Sequence, residues 1–382
     1  MSKRGQNEGS IYKRPDGRWT SVINLGYEGG KLKRQYFYGK TRDDVAGKLT
    51  EALQKHRHGL PVAFERQTLA QFLDRWLADS VKPTVRPNTY YSYEQNVRLY
   101  LKPHLGSIQL SRLTPQNIQS FMNAQLKEGR SSRLINYQRT VLRCALNEAV
   151  KWNLVARNAA ALVDPQQYIK AEIVPLNSED ANKFLEAIKG DPLETVFHVA
   201  LSLGLREGEI LGLRWQDIDL DKQIVRVRGS LQRIDKKLKL VEPKTEKSKR
   251  TLPIPDSLVF SLRARRTKQL EEKLLAGAEW QENGLVFTTS RGTPLSARNV
   301  IRSYHRLLAK GKVKRRRFHD LRHSCATFLL AKNIPARTVM DILGHSNISL
   351  TMNTYSHVMP EMLRDAADAM NEFISQSNIA NS

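Results

Sequence analysis

The sequence predicts a multidomain chain: a small module of three β-strands and a helix, an all-α bundle, and a larger α+β domain. Three observations carry this. Strand-like alternation is confined to the N-terminal stretch and to runs near 223–233, 237–243 and 250–255. Helical periodicity fills almost everything from residue 66 to about 163. Two linker-like stretches, His58-Gly59-Leu60-Pro61 and the polar DPQQYIKAE at 164–172, separate the segments. A chain of 382 residues has room for two or three cores.

In the first segment, residues 1–60, GSIYKRPDGRWTSVINL alternates around the turn signal Pro15-Asp16-Gly17. KLKRQYFYG follows Gly29-Gly30 as a further strand. TRDDVAGKLTEALQKH then reads as a helix, with Thr41 as cap and Asp43 and Asp44 in its first turn. The segment holds thirteen Lys/Arg against six Asp/Glu, a balance of +7. Sheets with Arg, Lys and Trp on one face can enter a DNA groove, and Arg18, Trp19, Lys33 and Arg34 are the candidate DNA contacts of this module.

The second segment, 66–163, opens with Leu69, Phe72, Leu73, Trp76 and Leu77 as a helical stripe. PNTYYSYEQNVRLYLKPHLG is a second helix, expected to end at Pro103 and Gly106. LTPQNIQSFMNAQLKEG has Thr114 as cap and Pro115 in its first turn, and SSRLINYQRTVLRCALNEAVKWNLV is a fourth helix. Helices of this kind form a compact bundle. Its outward arginines Arg98, Arg133, Arg139 and Arg143 read equally as solvated surface or as phosphate contacts.

The third segment, 173–358, has helices at 178–189, 191–204 and from about 207, then a small antiparallel sheet, then helices onward. A tail at 359–382 follows, with Met362, Ala366, Met370 and Phe373 at helical spacing.

Charge limits the function. The formal net charge is +24, which points to a polyanionic partner, nucleic acid above all. No apolar run reaches the length of a membrane span, and MSKRGQNEGS lacks the apolar core of a secretory signal, so a cytoplasmic, nucleoid-associated protein is expected. Cys144 and Cys325 are expected to be buried free thiols, not a disulfide.

Four stretches carry chemistry. In GLREGE, Arg206 stands at a helix start, where the dipole is unfavourable unless a carboxylate such as Glu209 lies close. In EPKTEKS, Lys244 sits at a strand end; by itself it reads as a solvated lysine. In RRRFHDLRHS, His319 and Arg322 share a helical face, preceded by Arg316 and Arg317. His323 repeats metal-ligand spacing, but the surrounding cations and the lack of a carboxylate set argue against a metal. In ILGHSNISLTMNTYSHV, Gly344 ends a helix before His345, and Tyr355 follows. Two arginines, a lysine, two histidines and a tyrosine suit phosphoryl transfer to a tyrosine hydroxyl, with guanidiniums offsetting charge on the five-coordinate phosphorus. Such an exchange conserves phosphodiester energy, so neither ATP nor a metal is expected.

The order Arg206, Lys244, His319-x-x-Arg322, His345, Tyr355 resembles the tyrosine recombinase, or phage integrase, family. The resemblance covers about residues 66 to 360. It implies that Tyr355 is the nucleophile, forming a 3′-phosphotyrosine and freeing a 5′-hydroxyl. Arg206, Arg322 and His345 would bind the scissile phosphate, His319 would assist proton transfer, Lys244 would protonate the leaving oxygen, and Glu209 would orient Arg206. The helical segment corresponds to the family's core-binding domain, and residues 1–60 resemble its arm-binding modules. The implied partners are double-stranded DNA with core and arm-type sites and a homotetramer on two DNA sites; the tail either packs on its own domain or, as in many family members, docks on a neighbouring protomer. A directionality factor or a host DNA-bending protein belongs among the partners the resemblance allows. The implied function is integration or excision of a mobile element or prophage. Two alternatives stand beside it: a type IB topoisomerase-like relaxing enzyme, and a DNA-binding protein whose active site has decayed. The separate basic module and the tail argue against the first, and the six intact positions against the second.

Overall fold

The computed structural model describes residues 9–28, 31–57, 67–168, 173–234, 237–242 and 249–344. They fall into two compact units, Met1–Lys170 and Ala171–Ser382.

The first unit contains two separate cores. One belongs to an antiparallel meander, β1 (Ser10–Lys13), β2 (Trp19–Glu28) and β3 (Lys31–Gly39), backed by helix α1 (Arg42–Arg57). Gly17 takes a positive φ of 81°, closing the β1–β2 turn as Pro15-Asp16-Gly17 predicts. Thr41 Oγ1 accepts from the Asp44 amide at 3.2 Å, the expected cap. Ile11, Ile23, Leu25 and Phe37 face Leu49 and Ala52 of the helix. Side chains alternate across a strand, so the register sorts the basic residues. Trp19 and Lys33 belong to the helix-side series of β2 and β3, while Arg34 shares the outer series with Tyr36 and Tyr38, and Arg18 precedes β2. These four candidate contacts are therefore divided among the two faces and the β1–β2 turn. The outer face instead presents the exposed rings of Tyr12, Tyr36 and Tyr38, with the Arg14 guanidinium 5.7 Å from the Tyr38 ring centre.

The other core is helical. α2 (Leu69–Trp76) is capped by a reciprocal Thr68–Gln71 box, and α6 (Pro115–Lys127) by a Thr114–Asn117 box. α7 (Ser132–Lys151) is capped by Ser131. The predicted stripe of Leu69, Phe72, Leu73, Trp76 and Leu77 is buried against Ile118, Phe121, Met122, Ile135 and Leu142. Each such side chain contributes about 1.5–3 kcal/mol. Pro103 does not end its helix. α4 (Pro87–Asn96) runs on through a π turn, Val97–Leu101, into α5 (Lys102–Leu105). α2 does the same, through Leu77–Val81 into α3 (Lys82–Thr84). In both, the lysine before the proline bonds five residues back: Lys82 to the Leu77 carbonyl, and Lys102 to that of Val97. The wider turn relieves the clash between the proline ring and the preceding turn, so the helix survives.

The second unit begins with α8 (Ser178–Ile188), α9 (Glu194–Leu203) and the short α10 (Glu207–Leu211). Strands β4 (Ile218–Asp219), β5 (Ile224–Val227), β6 (Ser230–Ile234), β7 (Lys237–Val241) and β8 (Arg250–Pro253) come next. They make two antiparallel ladders, β4-β5-β8 and β6-β7, where one sheet was expected. The break falls at Arg228-Gly229; a side chain at Gly229 would press on Leu240 at 3.0 Å. α11 (Asp256–Ala276), α12 (Ala297–Lys310), α13 (Asp320–Ala331) and α14 (Ala336–Leu343) complete the unit. Its core centres on Phe184, Phe197, Tyr304 and Phe318, whose rings meet at 5.4–6.2 Å, mostly edge to face.

Gly204 ends α9 in the left-handed conformation, φ 57°. A Cβ there would lie 2.6 Å from Leu343 Cδ2 and 3.2 Å from Cys325 Sγ. Gly204→Ala should therefore cost about 2–4 kcal/mol, backbone strain plus overpacking, and lower the urea midpoint of this unit. An unchanged midpoint would mean the close packing is not maintained in solution. Among the described residues, no helix is long and apolar enough to cross a membrane.

Candidate active site

Helix α9 stops at Gly204, and two residues later Arg206 stands just before α10. Its backbone is extended, φ −69° and ψ 148°, so the side chain can fold back over the first turn. There Glu209 supplies the carboxylate that an arginine at a helix start requires. Its Oε2 accepts from the Arg206 amide at 3.0 Å, and its Oε1 from Arg206 Nη1 at 2.8 Å. Burial alone would push the Glu209 carboxyl up. Arg250 first, and Arg206 after it, more than offset this and hold it below the usual carboxylate range. Glu209 is thus a buried anion between two guanidiniums.

Arg322 comes from the first turn of α13 and is 2% exposed. Its Nη1 donates to the Gly204 carbonyl at 2.8 Å and its Nη2 to that of Leu343 at 2.6 Å. Arg206 Nη2 donates to the next carbonyl, Gly344, at 3.3 Å. The two arginines of the motif therefore meet at the C-terminus of α14. Gly344 closes that helix in the left-handed conformation, φ 66°, as the sequence suggested. Arg206 keeps 41% of its side chain exposed, so the site has an open, cationic side.

His319 immediately precedes α13. It presents surface to solvent, yet its ring backs edge-on against His323 at 5.0 Å. Desolvation, then Arg322 and Arg206, lower its pKa, so the imidazole is neutral at pH 7 and offers a lone pair. His323 is buried beneath it, and burial followed by His319 lowers its pKa to about 4. Its charged form is thus favoured in the unfolded chain, whose histidine pKa is about 6.5. Stability contributed by neutral His323 is full above about pH 6.5 and is lost as pH falls towards 4, by about 3 kcal/mol in all. His323→Gln should flatten the dependence of the unfolding midpoint on pH between 6.5 and 4; an unaltered slope would assign the acid sensitivity to other groups.

Lys244, His345 and Tyr355 lie outside the described residues, as do the linker at 58–61 and the tail at 359–382. β7 and β8 flank the Lys244 segment, and Gly344 immediately precedes His345. Among the described residues, no group of three or more His, Cys, Asp and Glu could hold a metal ion. The remaining basic residues are placed differently from one another. Arg98 is exposed on α4's continuation, with Nε 2.7 Å from Glu94. Arg139 Nε is tied to the Val163 carbonyl at 2.6 Å, and burial, followed by Arg143, lowers its pKa. Arg316 is largely buried, 3.9 Å from Asp180, and Arg317 is exposed and paired with Asp320 at 2.9 Å. Cys325 is buried, its thiol pushed up to about 12 by burial, whereas Cys144 is half-buried, and both are free.

Two site residues escaped the sequence reading. Glu207, beside Arg206, is half-buried, its carboxyl raised by burial, and its Oε1 has no hydrogen-bond partner among the described residues. Arg250 is 7% exposed and ion-paired to Glu209 at 2.9 Å. In the sequence it was hidden among Lys244, Lys247 and Lys249. The available signal was alternation: Arg250 shares a strand face with Leu252, which is buried.

Comparison with known proteins agrees with this geometry. Residues 175–362 match the phage integrase family model, and residues 68–126 the N-terminal SAM-like domain of phage integrases. Among solved structures, the Tn1549 transposon integrase in complex with transposon right end DNA shares the fold. Its TM-score is 0.68 at 22% identity, over 78% of this chain and 100% of that one. A lambda integrase tetramer bound to a Holliday junction matches with TM-score 0.59 at 18% identity, over 92% of this chain and 96% of that one. A tyrosine recombinase XerC-like protein of Caldanaerobacter subterraneus subsp. tengcongensis is 37% identical over 364 residues, 90% of this chain and 93% of its own length. By that likeness, which runs through both units, the chain belongs to the tyrosine recombinase, or phage integrase, family of enzymes.

Proposed function

We propose that this enzyme cuts and rejoins double-stranded DNA at specific sites through a 3′-phosphotyrosine, integrating or excising a mobile element. The observation that carries the reading is the convergence of Arg206 and Arg322 on the carbonyls of Leu343 and Gly344, with neutral His319 beside them. In the sequence His345 follows that turn immediately, and Tyr355 comes ten residues after His345. In the reaction, the Tyr355 oxygen attacks phosphorus while the bond to the 5′-oxygen breaks. His319 takes the phenolic proton and Lys244 gives one to the leaving oxygen, so charge and protons balance. Arg206, Arg322 and His345 offset the charge that develops on the non-bridging oxygens. Attack by a 5′-hydroxyl of another strand reverses the step, and no ATP is consumed.

A net charge of +24 supports DNA as the substrate, as do the DNA complexes formed by the structural neighbours. The tetrameric lambda integrase supports an assembly of four protomers on two duplexes. Exposed Arg98 and Arg317 fit phosphate contacts, and the outer face of the N-terminal sheet fits an arm-type site. A nicked suicide duplex carrying the core site, taken from DNA flanking the gene, tests the reading. The nick lets the cleaved end diffuse away and traps the intermediate. A covalent protein–DNA adduct is expected. Site-independent plasmid relaxation would favour the topoisomerase-like alternative, and binding without any adduct the inactive one.

A further inference from the structure

One guanidinium ties the strand that follows the Lys244 segment to two other parts of the proposed site, the Arg206 turn and the end of α14. Arg250 begins β8, just after the segment holding Lys244. Its Nη2 and Nη1 donate to Glu209 Oε2 and Oε1 at 2.9 and 3.4 Å, reaching the turn that carries Arg206. Its Nε donates to the Ile342 carbonyl at 2.8 Å, and Nη1 lies 3.1 Å from where a Gly344 Cβ would stand. Three consecutive carbonyls at the end of α14 thus each receive an arginine: Ile342 from Arg250, Leu343 from Arg322 and Gly344 from Arg206. A helix end leaves such carbonyls without helical partners, and its dipole favours cations.

Arg322 and Arg206 are the phosphate ligands of the proposed site. Arg250, like Arg322, turns its nitrogens to protein, but it alone of the three forms an ion pair buried at both ends, with a Glu209 that is itself only 7% exposed. An ion pair this buried contributes little net stability against an apolar pair of the same volume. What it supplies is geometry, because a planar fork cannot hold two carboxylate oxygens and a carbonyl in more than one arrangement. We propose that Arg250 is a positioning residue for strand cleavage: it locks the Gly344 turn to Glu209 and β8, fixing how the chain enters the segment that bears His345 and Tyr355. The inference rests on the active-site reading above.

Four full-length variants test it on the same suicide duplex: Arg250→Lys, Arg250→Met, Glu209→Gln and the double variant Arg250→Met/Glu209→Gln. Arg250→Lys keeps a charge but has one nitrogen for three contacts. Its single-turnover cleavage should fall about 30-fold, and that of Arg250→Met about 100-fold or more, with DNA affinity within about threefold. Glu209 is faced by Arg206 and Arg250; without Arg250, burial raises its carboxyl towards neutrality. Arg250→Met should therefore lose more rate than wild type as pH drops from about 8 to 6, and Glu209→Gln in that background should abolish the extra loss. Independently of activity, hydrogen exchange at residues 339–344 should rise about tenfold in Arg250→Met while residues 196–203 stay protected. Cleavage within threefold of wild type, an equal loss of DNA affinity, or unaltered exchange at 339–344 would overturn the proposal. If wild type forms no adduct, the active-site reading falls instead, and the exchange measurement still decides whether Arg250 holds the turn.

Discussion

Replacing Tyr355 by phenylalanine should abolish the covalent protein–DNA adduct and leave DNA binding within about twofold of wild type. The substitution removes one oxygen. Binding rests on a chain with 62 Lys and Arg, and none of them is altered. Cleavage, in contrast, has no substitute nucleophile: the attacking atom itself is gone, so the rate should drop below detection rather than by a modest factor. Gel-shift titration and denaturing electrophoresis of the same reactions separate the two quantities. Persistence of the adduct in Tyr355→Phe would remove Tyr355 as the nucleophile.

Arg322→Lys should slow adduct formation by about 10³-fold, because removing one preorganised donor at a site of developing charge costs about 10²–10³ in rate and a second contact is lost with it. Arg322 bridges the Gly204 and Leu343 carbonyls, 2.8 and 2.6 Å away. A single ammonium cannot span both and also reach a phosphate. One buried carbonyl is left unpaired, at about 1–3 kcal/mol of stability. The rate loss should persist at low temperature, where the folded fraction recovers; single-turnover kinetics at two temperatures distinguish the effects. A rate within tenfold of wild type would place the phosphate elsewhere.

Much of this architecture was legible in the sequence for reasons that can be named. Thr41 and Thr114 are local signals, and a cap depends on residues two or three positions away. The stripe from Leu69 to Leu77 needed only helical geometry. Arg206 with Glu209 was readable because the unfavourable dipole demanded a carboxylate within one turn. Pro103 misled because a π turn depends on register with neighbouring helices, which local propensity does not encode. How Arg18, Trp19, Lys33 and Arg34 divide between faces was not legible, because a strand sorts neighbours to opposite sides and which side is buried is decided by α1. Arg250 went unseen because its role depends on Glu209 and Ile342, both far away in sequence, and three nearby lysines made it look like surface.

Strand cleavage by the proposed route creates a covalent bond between Tyr355 and a DNA 3′-phosphate. The most direct measurement is to trap the adduct of the wild-type protein on the nicked duplex, digest it, and map the modified peptide by mass spectrometry. The nucleotide is expected on the peptide containing Tyr355, with phosphorus joined to the 3′ end of the cleaved strand and a free 5′-hydroxyl on the other fragment. A nucleotide on any other residue, or joined through its 5′ end, would contradict this route.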